Sequence, residues 1–144
     1  MLQVQSIAAG LLVILFAGCG SASREIDPIF PVTGTVTLSG APLGDIRIVF
    51  ENKELAISTM VDVDSEGKYT VLTADGKGLP VGSYVVYLMP PHVEVPLGPI
   101  PPDLMKKIND VSFPSKYRDS KTSGLTASIV AADQPQVIDF DLTP

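Results

Sequence analysis

The sequence predicts an all-β sandwich, and three observations carry that expectation. Its 144 residues include twelve glycines and thirteen prolines but no tryptophan and no long helical periodicity, a composition that suits short strands joined by turns. Apolar and polar residues alternate at period two in several separate runs. Between Met60 and Pro90, two such runs and a third, almost wholly apolar one are divided by Gly-bearing turns, and the rest of the chain is organised around this stretch.

The first segment in chain order is a leader. Ile7 to Ala17, IAAGLLVILFA, is short for a bilayer span and suits the apolar region of a secretory signal. It closes on Phe16-Ala17-Gly18-Cys19, which resembles the lipobox of bacterial lipoproteins, where small residues precede a cysteine that is acylated and becomes the new N-terminus. The resemblance implies a signal peptide over 1–18 and lipid attachment at Cys19. Cys19 is the only cysteine, so it has no partner for an internal disulfide, and a thioether-linked lipid accounts for it. The competing reading is an ordinary signal peptide or an uncleaved anchor, with Cys19 a bystander. Residues 19–30 then form the lipidated cysteine and a polar, flexible tether. Residues 31–144 remain for the sandwich, enough for one hydrophobic core.

The net charge of −6 falls wholly after Cys19, because Arg24 is the first charged residue. An acidic domain repels nucleic acid and anionic headgroups, so no nucleic-acid partner is expected.

Within the domain, Val32, Gly34, Val36 and Leu38 share one face of a strand and Thr33, Thr35 and Thr37 the other. Ser39 to Gly44 turns the chain, and Asp45 to Phe50 resumes with Ile46, Ile48 and Phe50 on one face, so that these two strands pair or face each other. From Leu55 the set Leu55, Ile57, Val61 and Val63 alternates with Ala56, Ser58, Met60 and Asp62 up to Asp64-Ser65-Glu66-Gly67, a turn that reads as closing a hairpin with Lys68 onward. Tyr84 to Met89 is apolar on both faces and is expected to be covered on both. Thr122–Ala131 and Gln136–Leu142 supply the last two strands. About seven strands result, at the turn spacing of an immunoglobulin-like sandwich, with a Pro-rich insertion, Pro90–Lys121, before the last two.

The segment PVTGTVTLSGAPLGDIRIVFE, the D-x-x-G-x-Y of Asp64 to Tyr69 and GLPVGSYVVYL together resemble the carboxypeptidase regulatory-like domain of the transthyretin-like superfamily. With the anchored leader and PSKYRDSKTSGLTASI, the chain is similar to small planctomycete lipoproteins. The resemblance implies a transthyretin-like sandwich over 31–144 that is non-catalytic and needs no cofactor, acting as a binding or structural module in the envelope. Its partners would be the membrane, through the anchor, and an envelope protein or a glycan.

Catalytic and metal chemistry find little support. Asp62, Asp64, Glu66 and Gly67 partly match a calcium loop, but its twelfth position is Thr73, which supplies no bidentate carboxylate. His92 is the single histidine, too few for an ordinary zinc site, and no serine sits in a Gly-x-Ser-x-Gly setting. A transthyretin-like hydrolase would need several histidines and a Tyr-Arg-Gly-Ser, where this chain reads Asp-Leu-Thr-Pro. A carbohydrate-binding accessory domain is the alternative function, and it would draw on Tyr69, Tyr84 and Tyr87. In the insertion, Asp103 to Ile108 is expected to form one or two helical turns capped by Asp103. Val93, Val95, Leu97, Ile100, Phe113 and Tyr117 offer apolar contacts, either to a partner or to an open sheet edge.

Overall fold

A computed structural model describes residues 28–73 and 76–144. In chain order the strands are β1 (Ile29–Phe30), β2 (Val32–Leu38), β3 (Ala41–Pro42), β4 (Ile46–Asn52), β5 (Ile57–Val63), β6 (Lys68–Thr70), β7 (Leu72–Thr73), β8 (Gly76–Lys77), β9 (Leu79–Pro80), β10 (Gly82–Met89), β11 (Leu125–Ile129), β12 (Gln136–Val137) and β13 (Phe140–Leu142). Helix α1 (Pro102–Asn109) and a 3₁₀ turn, Ser115–Arg118, lie between β10 and β11. The leader and Cys19 fall outside the described residues.

Two sheets form the sandwich. One has the antiparallel order β11-β10-β4-β5. In the other, β2 is central: β12 and β13 run parallel to it along one side, and β6 and β3 run antiparallel along the other. Val32 and Val36 of β2 and Ile48 and Phe50 of β4, from opposite sheets, belong to one buried core. Phe50 lies at its centre, with ring centroids 5.8 Å from Tyr69 and 6.4 Å from Phe140. Ser39 and Gly40 both take positive φ, 52° and 79°, the type I′ geometry that joins two strands through two residues, and they connect β2 to β3.

The turn at Asp64 is not a hairpin, because β5 pairs with β4 and β6 with β2, so the chain crosses from one sheet to the other there. The local chemistry is nonetheless that of a tight turn. The Asp64 carboxylate accepts the Glu66 and Lys68 N–H groups at 2.9 Å each, and the Gly67 N–H donates to the Asp64 carbonyl at 3.0 Å. Such a turn reverses the chain equally well within a sheet or between two. β5 also starts later than the alternation suggests: Leu55 is in a turn, 37% exposed, its N–H donated to the Asn52 side chain.

β10 is buried on one face only. Tyr84, Val86 and Leu88 face the core, whereas Val85, Tyr87 and Met89 are half-buried on the outer face. The outer apolar side chains shield one another instead: Tyr87 and Met60 flank Val49, which is buried between them.

β2 and the last strands keep one register, Val32 opposite Gln136 and Phe140 opposite Val36, yet the ladder is interrupted at Ile138–Asp139. The Ile138 carbonyl turns towards the core, where a Cβ on Gly34 would lie 1.8 Å from it. Tyr69 sits opposite Gly34 and reaches across it, its hydroxyl donating to the Ile138 carbonyl at 2.5 Å. The bond lost from the ladder is replaced by the Asp139 carboxylate, which accepts the Thr35 N–H and hydroxyl at 2.8 Å each. Burial, aided by Asp139, pushes the Tyr69 phenol pKa well above its ordinary value, which keeps the hydroxyl a donor.

Gly82 opens β10 with φ 156°, and a Cβ there would meet the amide nitrogen of buried Asn52 at 2.6 Å. Gly82→Val is expected to cost about 1–3 kcal/mol through the backbone conformation and that contact, read as a lower urea midpoint at unchanged slope. A midpoint equal to that of the wild type would remove the argument.

β1 pairs with β9 immediately ahead of β10, so the described chain enters at the end of the sandwich where β10 begins. The insertion leaves from the other end of β10, roughly 25 Å away at the rise of a strand.

Candidate functional site

The insertion is built in two halves. Arg47 Nε donates to the Pro90 carbonyl at 2.8 Å, fixing where the chain leaves β10. From there to Ile100 the loop is largely exposed, with Leu97 wholly so and His92 exposed. Helix α1 starts on Pro102, and its N-cap is Pro101 with no side-chain cap; Asp103 falls in the first turn rather than at the cap. Proline at the first helical position presets φ and lacks the N–H that a cap would have to satisfy, which replaces the expected role of Asp103. Leu104 and Ile108, four residues apart, are half-buried on one face, and no residue of α1 is fully buried.

The second half is locked to the core. Val111 packs against it, and Phe113 and Tyr117 are buried in it. The Tyr117 hydroxyl donates to the Thr143 carbonyl at 3.1 Å and accepts the Thr143 N–H at 3.0 Å, tying the 3₁₀ turn to the residue after β13. The Lys116 ammonium donates to the Pro144 carbonyl, and the Arg118 guanidinium lies 5.8 Å from the Phe113 ring centroid. Ser123 Oγ, buried, donates to the Val86 carbonyl of β10. Phe113 and Tyr117 are thus part of the core, while Val95 and Leu97 are exposed.

Between the two halves, a cleft of about 220 Å³ is lined by Gly44, Asp45, Ile46, Pro91, Lys107, Asp110, Val111 and Ser112. A second, shallower one of about 290 Å³ runs along Asp62, Asp64, Lys68 and Thr70 beside the crossing turn. The carboxylates of the calcium-like run do not converge: Asp64 is occupied by the backbone, and Glu66 pairs with Lys68 at 2.6 Å. Among the described residues no group of three or more potential metal ligands occurs. On the outer face of β2, the Thr37 hydroxyl and the Gly40 N–H hold the Asp141 carboxyl below the usual carboxylate range.

Of the tyrosines a sugar site would draw on, Tyr69 and Tyr84 point into the core, and the Tyr84 hydroxyl donates to the Pro80 carbonyl at 2.9 Å. Tyr87 alone reaches the outer face, half-buried. Among the described residues no helix is long and apolar enough to cross a membrane. Compared with protein-family models, with curated proteins and with solved structures, the chain finds no match in any of the three.

Proposed function

We propose that this chain is an exported, lipid-anchored protein of a bacterial envelope, whose sandwich is a non-catalytic binding or structural module of the carboxypeptidase regulatory-like kind. The observation that carries this reading is the closure of the apolar leader on Phe16-Ala17-Gly18-Cys19, with Cys19 the single cysteine. The ten residues after Cys19 that lead to Ile29 reach at most about 35 Å. Because the described chain enters beside β9, an anchor at Cys19 draws that end of the sandwich towards the bilayer and leaves the insertion at the end facing away. The exposed stretch with Val95 and Leu97 is then the surface offered to an envelope protein or a glycan.

Acyl chains contribute about 0.8 kcal/mol per buried CH₂, so two or three of them make release from the membrane negligible. The wild-type chain is therefore expected in the membrane fraction and labelled by an alkyne analogue of palmitate, and Cys19→Ala in the soluble fraction without label. A wild type that takes up no label overturns the anchor.

A further inference from the structure

β5 is the outermost strand of its sheet and differs from every other edge among the described residues. β3 and β6 are two and three residues long. The β12–β13 edge is interrupted at Ile138–Asp139. The chain end of β11 is covered by the Gln136 amide, which bonds both the N–H and the carbonyl of Val130, at 3.1 and 2.9 Å. β5, by contrast, runs seven residues in unbroken register with β4, and like the shorter β11 it contains no Pro, Gly, Lys or Arg. Among the described residues no strand pairs with its outer side, and Asp62 is the one charge on the strand that could blunt such an edge.

We propose that β5 pairs antiparallel with β5 of a second copy of this chain, across a two-fold axis through Met60. The side-chain rows of the sheet select that occupant and that register. On the outer face, Tyr87, Val49 and Met60 form one apolar row, and Met60 ends it 45% exposed. Centred on Met60, the pairing continues this row into the Met60, Val49 and Tyr87 of the second copy. Asp62, the only charge of β5, then lies opposite the second copy's Ser58, whose hydroxyl is a donor for it. On the core-facing side, half-buried Ile57 meets the second copy's Val63, and Thr59 meets Val61. A shift to a two-fold at Val61 would instead set Met60 against Asp62 and break both rows. The result is one continuous eight-stranded sheet made of two four-stranded halves. The pairing needs no anchor, although confinement to a membrane would raise the local concentration that favours it.

The test adds one cysteine at a time to the full chain, which keeps Cys19, in whichever cell fraction it occupies, under mild oxidation, with the unsubstituted chain as control for Cys19. Residues directly opposite in an antiparallel pair have Cα atoms about 4.5–5.5 Å apart, within disulfide reach. Met60→Cys is therefore expected to give a disulfide-linked dimer in most of the chain. Ser58→Cys or Asp62→Cys alone is expected to stay monomeric, since each is about 13 Å from its own copy, while co-production of the two restores the dimer. All three positions are exposed, so the fold tolerates the substitutions. A monomeric Met60→Cys, an equal dimer yield from Asp62→Cys alone, or a Met60→Cys adduct with a different protein each overturns self-pairing. Labelling of the same preparations by the palmitate analogue reports separately on Cys19.

Discussion

Gly34→Ala should lower the stability of the sandwich by about 3–5 kcal/mol, near the top of what one substitution does and a large share of the roughly 5–15 kcal/mol that holds a domain together. The added methyl would lie 1.8 Å from the Ile138 carbonyl oxygen and 2.7 Å from the Tyr69 hydroxyl. The first of these is backbone, held by the Ile138 N–H bond to the Thr33 carbonyl at 2.8 Å, so relief requires pulling β12–β13 away from β2. Urea unfolding followed by circular dichroism measures it. Tyr69→Phe is the companion: it keeps the ring over Gly34 but leaves an inward-turned carbonyl without its donor, at a cost of about 1–3 kcal/mol. A Gly34→Ala variant less affected than Tyr69→Phe would mean that the Ile138 carbonyl is not where this account puts it.

Phe50→Ala is expected to cost about 3–5 kcal/mol as well, by a different route. Phe50 has no accessible surface and touches aromatic rings contributed by the opposite sheet, Tyr69 and Phe140. Its removal leaves a cavity between two hydrogen-bonded sheets that collapse little, so the transfer and cavity losses add. Phe50→Leu, which refills most of the volume, should recover more than half of the loss. Equal midpoints for the Ala and Leu variants would place Phe50 outside the packed centre.

The strands were legible because alternation needs only local sequence: Val32 and Val36, and Ile46, Ile48 and Phe50, all behave as their pattern says. Which strand pairs with which was not, and the turn at Asp64 shows why. Its side-chain and backbone bonds are complete within five residues, so nothing local distinguishes a hairpin from a crossing between sheets. The apolar run of β10 misled for a related reason: Val85, Tyr87 and Met89 are shielded by neighbours on the same face, a matter of register with β4 and β5. Gly34 reads as an ordinary strand glycine until Ile138 is brought beside it. In the insertion, Phe113 and Tyr117 are buried in the core and Val95 and Leu97 are exposed, a division that apolar character alone does not reveal in the sequence. The helix start was misassigned to Asp103 because a carboxylate cap and a proline start are both good N-terminal signals, and here they lie side by side.

The parallel pairing of β2 with β12 and β13 also sets a clock. Thr35 and Asp139 are separated by 104 positions, and synthesis at about 5–20 residues per second puts some 5–20 s between their appearances. During that interval the central strand of one sheet has no neighbour on its β12–β13 side. Closing so long a loop carries its entropy cost before any of these contacts rewards it. A chain of this topology is suited to being held extended until its last strand has emerged.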